Sequence, residues 1–264
     1  GANPENPATA VGAGANANGA GTVALGLSAN ATGANAVALG GGSNGGTNKT
    51  EATAANATAV GFNAKASNSG ASAIGTNAKA TGENSVAVGS GAGNSGPLGF
   101  ASSINSSGSV VNTLKTINNA VALGFYANAK NSGVAVGQNA LAATGGVAIG
   151  KGVFEDTNNN LAGGVVIGQD SASTGIYSLA MGRHAFATGS TSMAMGYEAS
   201  ANGNFAVAMG RNVTATETST AIGHHATASN GGLAIGSQEN DASNDKTIAS
   251  AKGPVAIGNN STAS

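Results

Sequence analysis

The sequence predicts an all-β chain, a parallel β-roll (a solenoid) of about 16 coils built from 13–14-residue repeats. Three observations carry that prediction. An x-Ala-(Val/Ile/Leu/Met)-Gly pattern recurs from Gly12 to Gly258. Its glycines are mostly 13 or 14 residues apart, with longer intervals of 21 (40 to 61), 35 (89 to 124), 18 (150 to 168) and 22 (236 to 258). Such a period marks units that cannot bury a core alone and must stack. The segment after each glycine alternates small apolar with polar residues at period two, as in Thr76-Asn77-Ala78-Lys79-Ala80-Thr81, which is a strand pattern. Finally, Gly is 44 of 264 residues. At roughly 1 kcal/mol per interior glycine, helices would be interrupted again and again.

Each coil is expected to hold two short strands. The first is the Ser85–Val88 type, ending at the repeat glycine. The second follows that glycine, with Ala78 and Ala80 on one face and Asn77, Lys79 and Thr81 on the other. The same alternation appears at Ala64/Ala66, Ala127/Ala129, Ala185/Ala187, Ala199/Ala201 and Ala226/Ala228. Gly82, Gly189 and Gly203, or Asn elsewhere, make the turns because both tolerate positive φ. The expected core is thin, with Val, Leu, Ile or Met of the first strand meeting Ala of the second. Sixteen coils at about 4.8 Å each give a rod of roughly 75 Å.

The other face of the first strand carries one column: Ala24, Ala38, Ala59, Ala73, Ala87, Ala122, Ala135, Ala148, Val166, Ala180, Ala194, Ala208, Ala221 and Ala234, with Ala10 and Ala256 at its ends. Read as solvent-facing, an unbroken alanine stripe exceeds the few hundred Å² of apolar patch that monomers expose. It is therefore expected to be an interface with copies of the same chain, closed by symmetry.

Composition excludes several classes. Charged residues are 8% of the chain, net charge is −1 and Lys plus Arg number ten, so there is no basic footprint for nucleic acid. No apolar run approaches the roughly 20 residues of a membrane-spanning helix. No signal-peptide pattern opens the chain, which reads as a mature or excised piece. With no cysteine, disulfides and thiol chemistry are absent.

Asn84-Ser85-Val86-Ala87-Val88-Gly89 followed by Ser90-Gly91-Ala92 resembles the Asn-Ser-Val-Ala-Ile-Gly-x-x-Ser head repeat of the YadA-like trimeric autotransporter adhesins. Val88 stands in place of Ile and Ala92 in place of Ser. Ala36-Val37-Ala38-Leu39-Gly40 and Ser192-Met193-Ala194-Met195-Gly196 are looser copies. The resemblance extends over nearly the whole chain and rests on repetition. It implies a homotrimer of left-handed parallel β-rolls at the outer membrane of a Gram-negative bacterium, carried on a stalk. It also implies adhesion to host matrix proteins, host cell receptors or other bacteria. The sequence shows no neck motif, heptad stalk or membrane anchor, so it corresponds to a head whose anchoring lies in other parts.

The whole chain, 1–264, reads as a single head domain with insertions at about 41–56, 90–119, 151–163 and 237–254. Insertions in a solenoid tend to gather on one face. The longest brings Leu98, Phe100, Ile104, Leu114 and Lys115 into a chain poor in such residues, and Phe154 lies in the third. These six are the candidate ligand-binding residues, since apolar side chains on projecting segments suit a protein partner. Val110, Val111, Leu114 and Ile117 can equally fold back to cover the roll. His184, His224 and His225 follow repeat glycines and read as solvated turn residues. No metal, cofactor or catalytic group is expected. Calcium-binding nonapeptides need a recurring Gly-Gly-x-Gly-x-Asp, and acyltransferase solenoids a period of six. Neither is present. The expected function is non-enzymatic, an adhesin head binding a host receptor or matrix protein; a spacer or self-associating module without host ligand is the alternative.

Overall fold

In the computed structural model the described residues are 7–42, 48–91, 93–94, 119–130, 132–155, 163–236 and 246–264. They form an all-β parallel solenoid of about 15 turns, with no helix among them. Three-residue strands of the Val86–Val88 type alternate along the chain with two-residue strands of the Lys79–Ala80 type. The former build one parallel sheet and the latter a second. The chain divides into two compact units, Gly1–Ala140 and Leu141–Ser264. Both contain the two sheets.

Register follows the repeat. In the first unit Val86, Ala87 and Val88 pair with Ser72, Ala73 and Ile74 on one side. On the other they pair with Val121, Ala122 and Leu123, so the 35-residue interval leaves the ladder in step. In the second unit Leu179, Ala180 and Met181 pair with Met193, Ala194 and Met195. Pairing also places four strands read as parts of insertions in ordinary register: Glu51–Ala52 with Lys65–Ala66, Gly93–Asn94 with Lys79–Ala80, Phe154–Glu155 with Ala172–Ser173 and Ile248–Ala249 with Thr227–Ala228.

The inward and outward faces of the first strand are reversed from the expectation. Ala24, Ala38, Ala59, Ala73, Ala87, Ala122, Ala135, Ala148, Val166, Ala180, Ala194, Ala208, Ala221 and Ala234 are all 0% exposed within the single chain. They face the interior and are closed to a neighbouring copy. The flanking Val, Leu, Ile and Met side chains point outward, giving an intermediate–buried–intermediate pattern in strands such as Val86–Val88 and Met193–Met195. The cause is steric. Corners of only a few residues limit how far apart the two sheets can stand, and the side chains that fill the space between them are small. Between them there is room for alanine on alanine, and Ala78, Ala80, Ala199 and Ala201 meet the first strand from the second as expected.

Buried hydroxyls close the corners. Ser85 donates to the Gly82 carbonyl at 2.7 Å, Thr22 to Gly19 at 2.7 Å and Ser178 to Gly175 at 2.7 Å. The other corner runs through left-handed residues, Asn63, Asn77, Asn139, His184 and Asn212 among them. There asparagine both tolerates the conformation and bonds to the next coil, Asn63 Nδ2 donating to Asn77 Oδ1 at 2.8 Å.

One ionisable group enters the interior. Glu155, in register with Ser173, is fully buried. Its two carboxylate oxygens accept backbone N–H bonds from Ala143 (3.0 Å) and Gly164 (2.7 Å). The carboxylate occupies the space a Cβ on Gly146 would take, so glycine there is what admits it. Burial pushes its pKa up, against the pull of the two N–H groups. The folded chain therefore binds this proton more tightly than the unfolded chain, whose value is about 4.3. The group's contribution is most favourable below that value and is lost as pH rises through the folded pKa. Thermal melts from pH 4 to 8 should show the wild type losing stability toward neutral pH relative to Glu155→Gln, whose amide stands in for the neutral acid. Parallel curves for the two proteins would contradict this.

Candidate functional site

The outer face of the first sheet is the larger apolar surface. In the unit Gly1–Ala140 it presents Val23/Leu25, Val37/Leu39, Val86/Val88 and Val121/Leu123, in register and partly or fully exposed. In the unit Leu141–Ser264 it presents Val147/Ile149 through Leu233/Ile235. All four methionines of the chain, Met181, Met193, Met195 and Met209, lie here. A groove of about 790 Å³ runs along this face, lined by Ile167, Met181, Met195, Met209, Ile222 and the repeat glycines beside them. Thioether side chains fill irregular contacts readily, and no charged side chain lines the groove.

The second sheet presents a different surface. Its outward column is polar over much of its length, with Asn30, Glu51, Lys65 and Lys79 in the first unit. Lys65 and Lys49 both pair with Glu51, at 3.1 and 3.4 Å. In the second unit the same column turns apolar: Leu141 pairs with Phe154, Phe154 with Ala172, and Ala172 with Phe186. Phe154 and Phe186 are 39% and 40% exposed. The column is polar again at Ser200 and Thr214.

Because the interior admits little beyond alanine, all eight described aromatic side chains are on the outside. Tyr177 and Phe205 are 68% and 62% exposed, and both sit at left-handed φ (55° and 59°) on the corner after the second strand. Phe62, Phe125, Tyr126 and Tyr197 occupy the opposite corner.

That opposite corner, in the second unit, carries a row of charged residues. Asp170, Arg183, His184, Glu198 and Arg211 follow one another there coil by coil. His184 Nε2 is 3.9 Å from Asp170 Oδ2, and the Arg183 guanidinium lies 5.7 Å from the Tyr197 ring centre. A hydrogen bond to Glu198 and its negative charge hold the Tyr197 phenol above its ordinary pKa. His225 contacts Asn212 at 3.3 Å and His224 edge-on at 4.3 Å. Among the described residues no three His, Asp or Glu converge on a point suited to a metal ion.

Of the six candidate ligand residues, Leu98, Phe100, Ile104, Leu114 and Lys115 lie outside the described residues. Phe154 is on the surface as a candidate should be, yet on a regular strand of the second sheet. Phe186, Tyr177 and Phe205, exposed aromatic residues of the same unit, were not among the candidates. The available signal was the outward column read coil against coil, where Leu141, Phe154, Ala172 and Phe186 interrupt a run of Asn, Lys, Ser and Thr.

The profile of the family described as YadA head domain repeat (2 copies) matches residues 7–29, 17–43, 52–77, 66–92 and 187–212. No curated protein matches the chain.

Proposed function

We infer from membership of the YadA-like trimeric autotransporter adhesin heads, the family to which this chain belongs, that it is a non-enzymatic adhesive head at a bacterial surface. In this reading three copies wind left-handed and pack the outer faces of their first sheets around a common axis. The ligand is a host cell receptor or an extracellular matrix protein, met by Phe154 and by the segment holding Leu98, Phe100, Ile104, Leu114 and Lys115. Multiple identical sites on a rigid head convert weak contacts into avidity.

The single observation that carries the reading is the apolar outer face of the first sheet, Val/Leu in one unit and Met/Ile in the other. Such a face is larger than an isolated soluble chain ordinarily leaves bare. Analytical ultracentrifugation tests it. The purified head should sediment near 74 kDa (three times 24.7 kDa), and a Met181→Lys/Met195→Lys/Met209→Lys variant should fall to the mass of one chain with its far-UV circular dichroism intact. A wild-type head that sediments as one chain sinks the assembly. For the ligand, adhesion to host cells and matrix proteins should be lost when 90–119 is replaced by a two-residue turn; unchanged adhesion would remove that segment from the site.

A further inference from the structure

We propose that the outer face of the second sheet in the unit Leu141–Ser264 is a binding surface for an uncharged oligosaccharide. It deepens the adhesive reading by naming a ligand chemistry, but the binding itself needs only this unit's surface. Phe154 and Phe186 flank Ala172 in one outward column. The two rings therefore stand two coils apart, about 9.6 Å, with a methyl group as the floor between them. Alternate residues of an extended β-linked hexopyranose chain repeat on a similar length.

Tyr177 shares the coil of Ala172 and borders the same face, with Phe205 two coils further on. Both hold left-handed φ, a conformation that asparagine or glycine adopts at less cost and that β-carbon sterics oppose by roughly 1–2 kcal/mol. Turn formation alone does not call for an aromatic ring there. The interior could not receive these four rings, and each stands exposed on the chain.

The polar groups between the rings are neutral. Thr174, Thr188, Ser200 and Asn202 carry no charge; among the described charged side chains of these coils, Lys151, Asp170, Arg183, Glu198 and Arg211 lie on the far corner, Glu155 points inward, and Glu217 stands one coil beyond Phe205. Asn202 Oδ1 accepts from Thr188 and Ser200 (3.2 and 3.0 Å), which leaves its Nδ2 donors to solvent. Pyranose rings offer apolar C–H faces for stacking and hydroxyls for amides and hydroxyls. A sulfated or uronate polymer would find no cation among the described residues of this face.

Isothermal calorimetry on the intact head, with cellohexaose and chitohexaose as probes and dextran sulfate as the charged comparison, tests the proposal. At least one neutral hexamer should bind, and Phe154→Ala/Phe186→Ala should weaken it at least tenfold. Phe62→Ala, an exposed aromatic of the other unit, should leave binding unchanged. Sedimentation and circular dichroism establish that the variants stay folded. The proposal is overturned if neither neutral probe binds, if the double variant binds as well as wild type, or if dextran sulfate competes. It is equally overturned if the double variant loses only a deglycosylated protein ligand, which would make the face a protein interface. Cell adhesion that persists without oligosaccharide binding removes this proposal alone. Oligosaccharide binding by a non-adherent single chain removes the adhesive reading alone.

Discussion

Ala194→Leu should unfold the coils around it, lowering stability by about 3 kcal/mol, the upper end of what overpacking costs. Ala194 is 0% exposed and lies in register between Ala180 and Ala208. The second sheet brings more alanine from the other side, Ala187, Ala199 and Ala201 among it, all 0% exposed. A leucine must push its larger side chain into this alanine-filled space, and the short corners oppose separation of the sheets. Val166 is the one larger member of the column, and its coil offsets it by placing Gly164 at the preceding inward position, where Ala206 precedes Ala208 in a regular coil. The matched substitution on the other face is Thr220→Leu. Thr220 points outward between Val207 and Leu233, where another apolar side chain extends an existing row. Urea denaturation should place Thr220→Leu within about 0.5 kcal/mol of wild type. Comparable tolerance of both substitutions, or the reverse order, would overturn the assignment of faces.

The fold was legible because the signal is repeated. One Asn-Ser-Val-Ala-Val-Gly means little, whereas the same pattern at a steady 13–14-residue interval fixes the two strands, their parallel pairing and their register, down to Ala87 opposite Ala73 and Ala122. Direction was not legible. Alternation normally tells inside from outside by contrast between polar and apolar, and Val86-Ala87-Val88 offers none. The larger side chains were assigned to the core by analogy with ordinary sheets. In a roll with strands of two and three residues the narrow interior decides instead, and it takes mainly alanine. The apolar stripe that argues for assembly is thus real but is made of Val88, Met195 and their equivalents, while Ala87 and its column lie beneath it.

The site was less legible for a related reason. Phe154 drew notice by standing in an interval longer than the repeat. Phe186 was hidden inside a regular one, between Ala185 and Ala187, where it served only as the polar-side partner of an alternation. Its significance depends on Phe154 being its neighbour across Ala172, a relation set by pairing across 18- and 14-residue steps rather than by nearness in sequence. Tyr177 and Phe205 were hidden differently. They hold turn positions filled by Asn35 and Asn84 elsewhere, and only the observed φ shows that aromatic residues have been placed where asparagine is favoured.

Gly75→Ala should be a severely damaging single-methyl change in the unit Gly1–Ala140, with a loss of about 3 kcal/mol. Gly75 has φ +127°, a region open in practice to glycine alone and carrying of order 1–3 kcal/mol of strain for other residues. Space compounds conformation. A Cβ at this position would lie 2.6 Å from the Gly89 carbonyl oxygen and 2.7 Å from its carbon. Those atoms are backbone, and they cannot rotate away as a side-chain tip would. Nor can the coil shift, because the Gly75 amide donates to Val60 and the Gly89 amide to Ile74, at 2.8 and 2.9 Å, fixing the spacing from both sides. Gly41→Ala is the control: no atom lies within 4 Å of its Cβ position and its φ is not positive. The same added methyl should there change stability by less than about 0.5 kcal/mol. Hydrogen exchange adds spatial resolution, since a stacked array loses stability through nearest-neighbour contacts. Protection should collapse first in the coils holding Val60 and Gly89, next to the substituted glycine. Uniform loss of protection through the unit, or equal effects of the two substitutions, would show that backbone contact between successive glycines is not what sets the coil spacing.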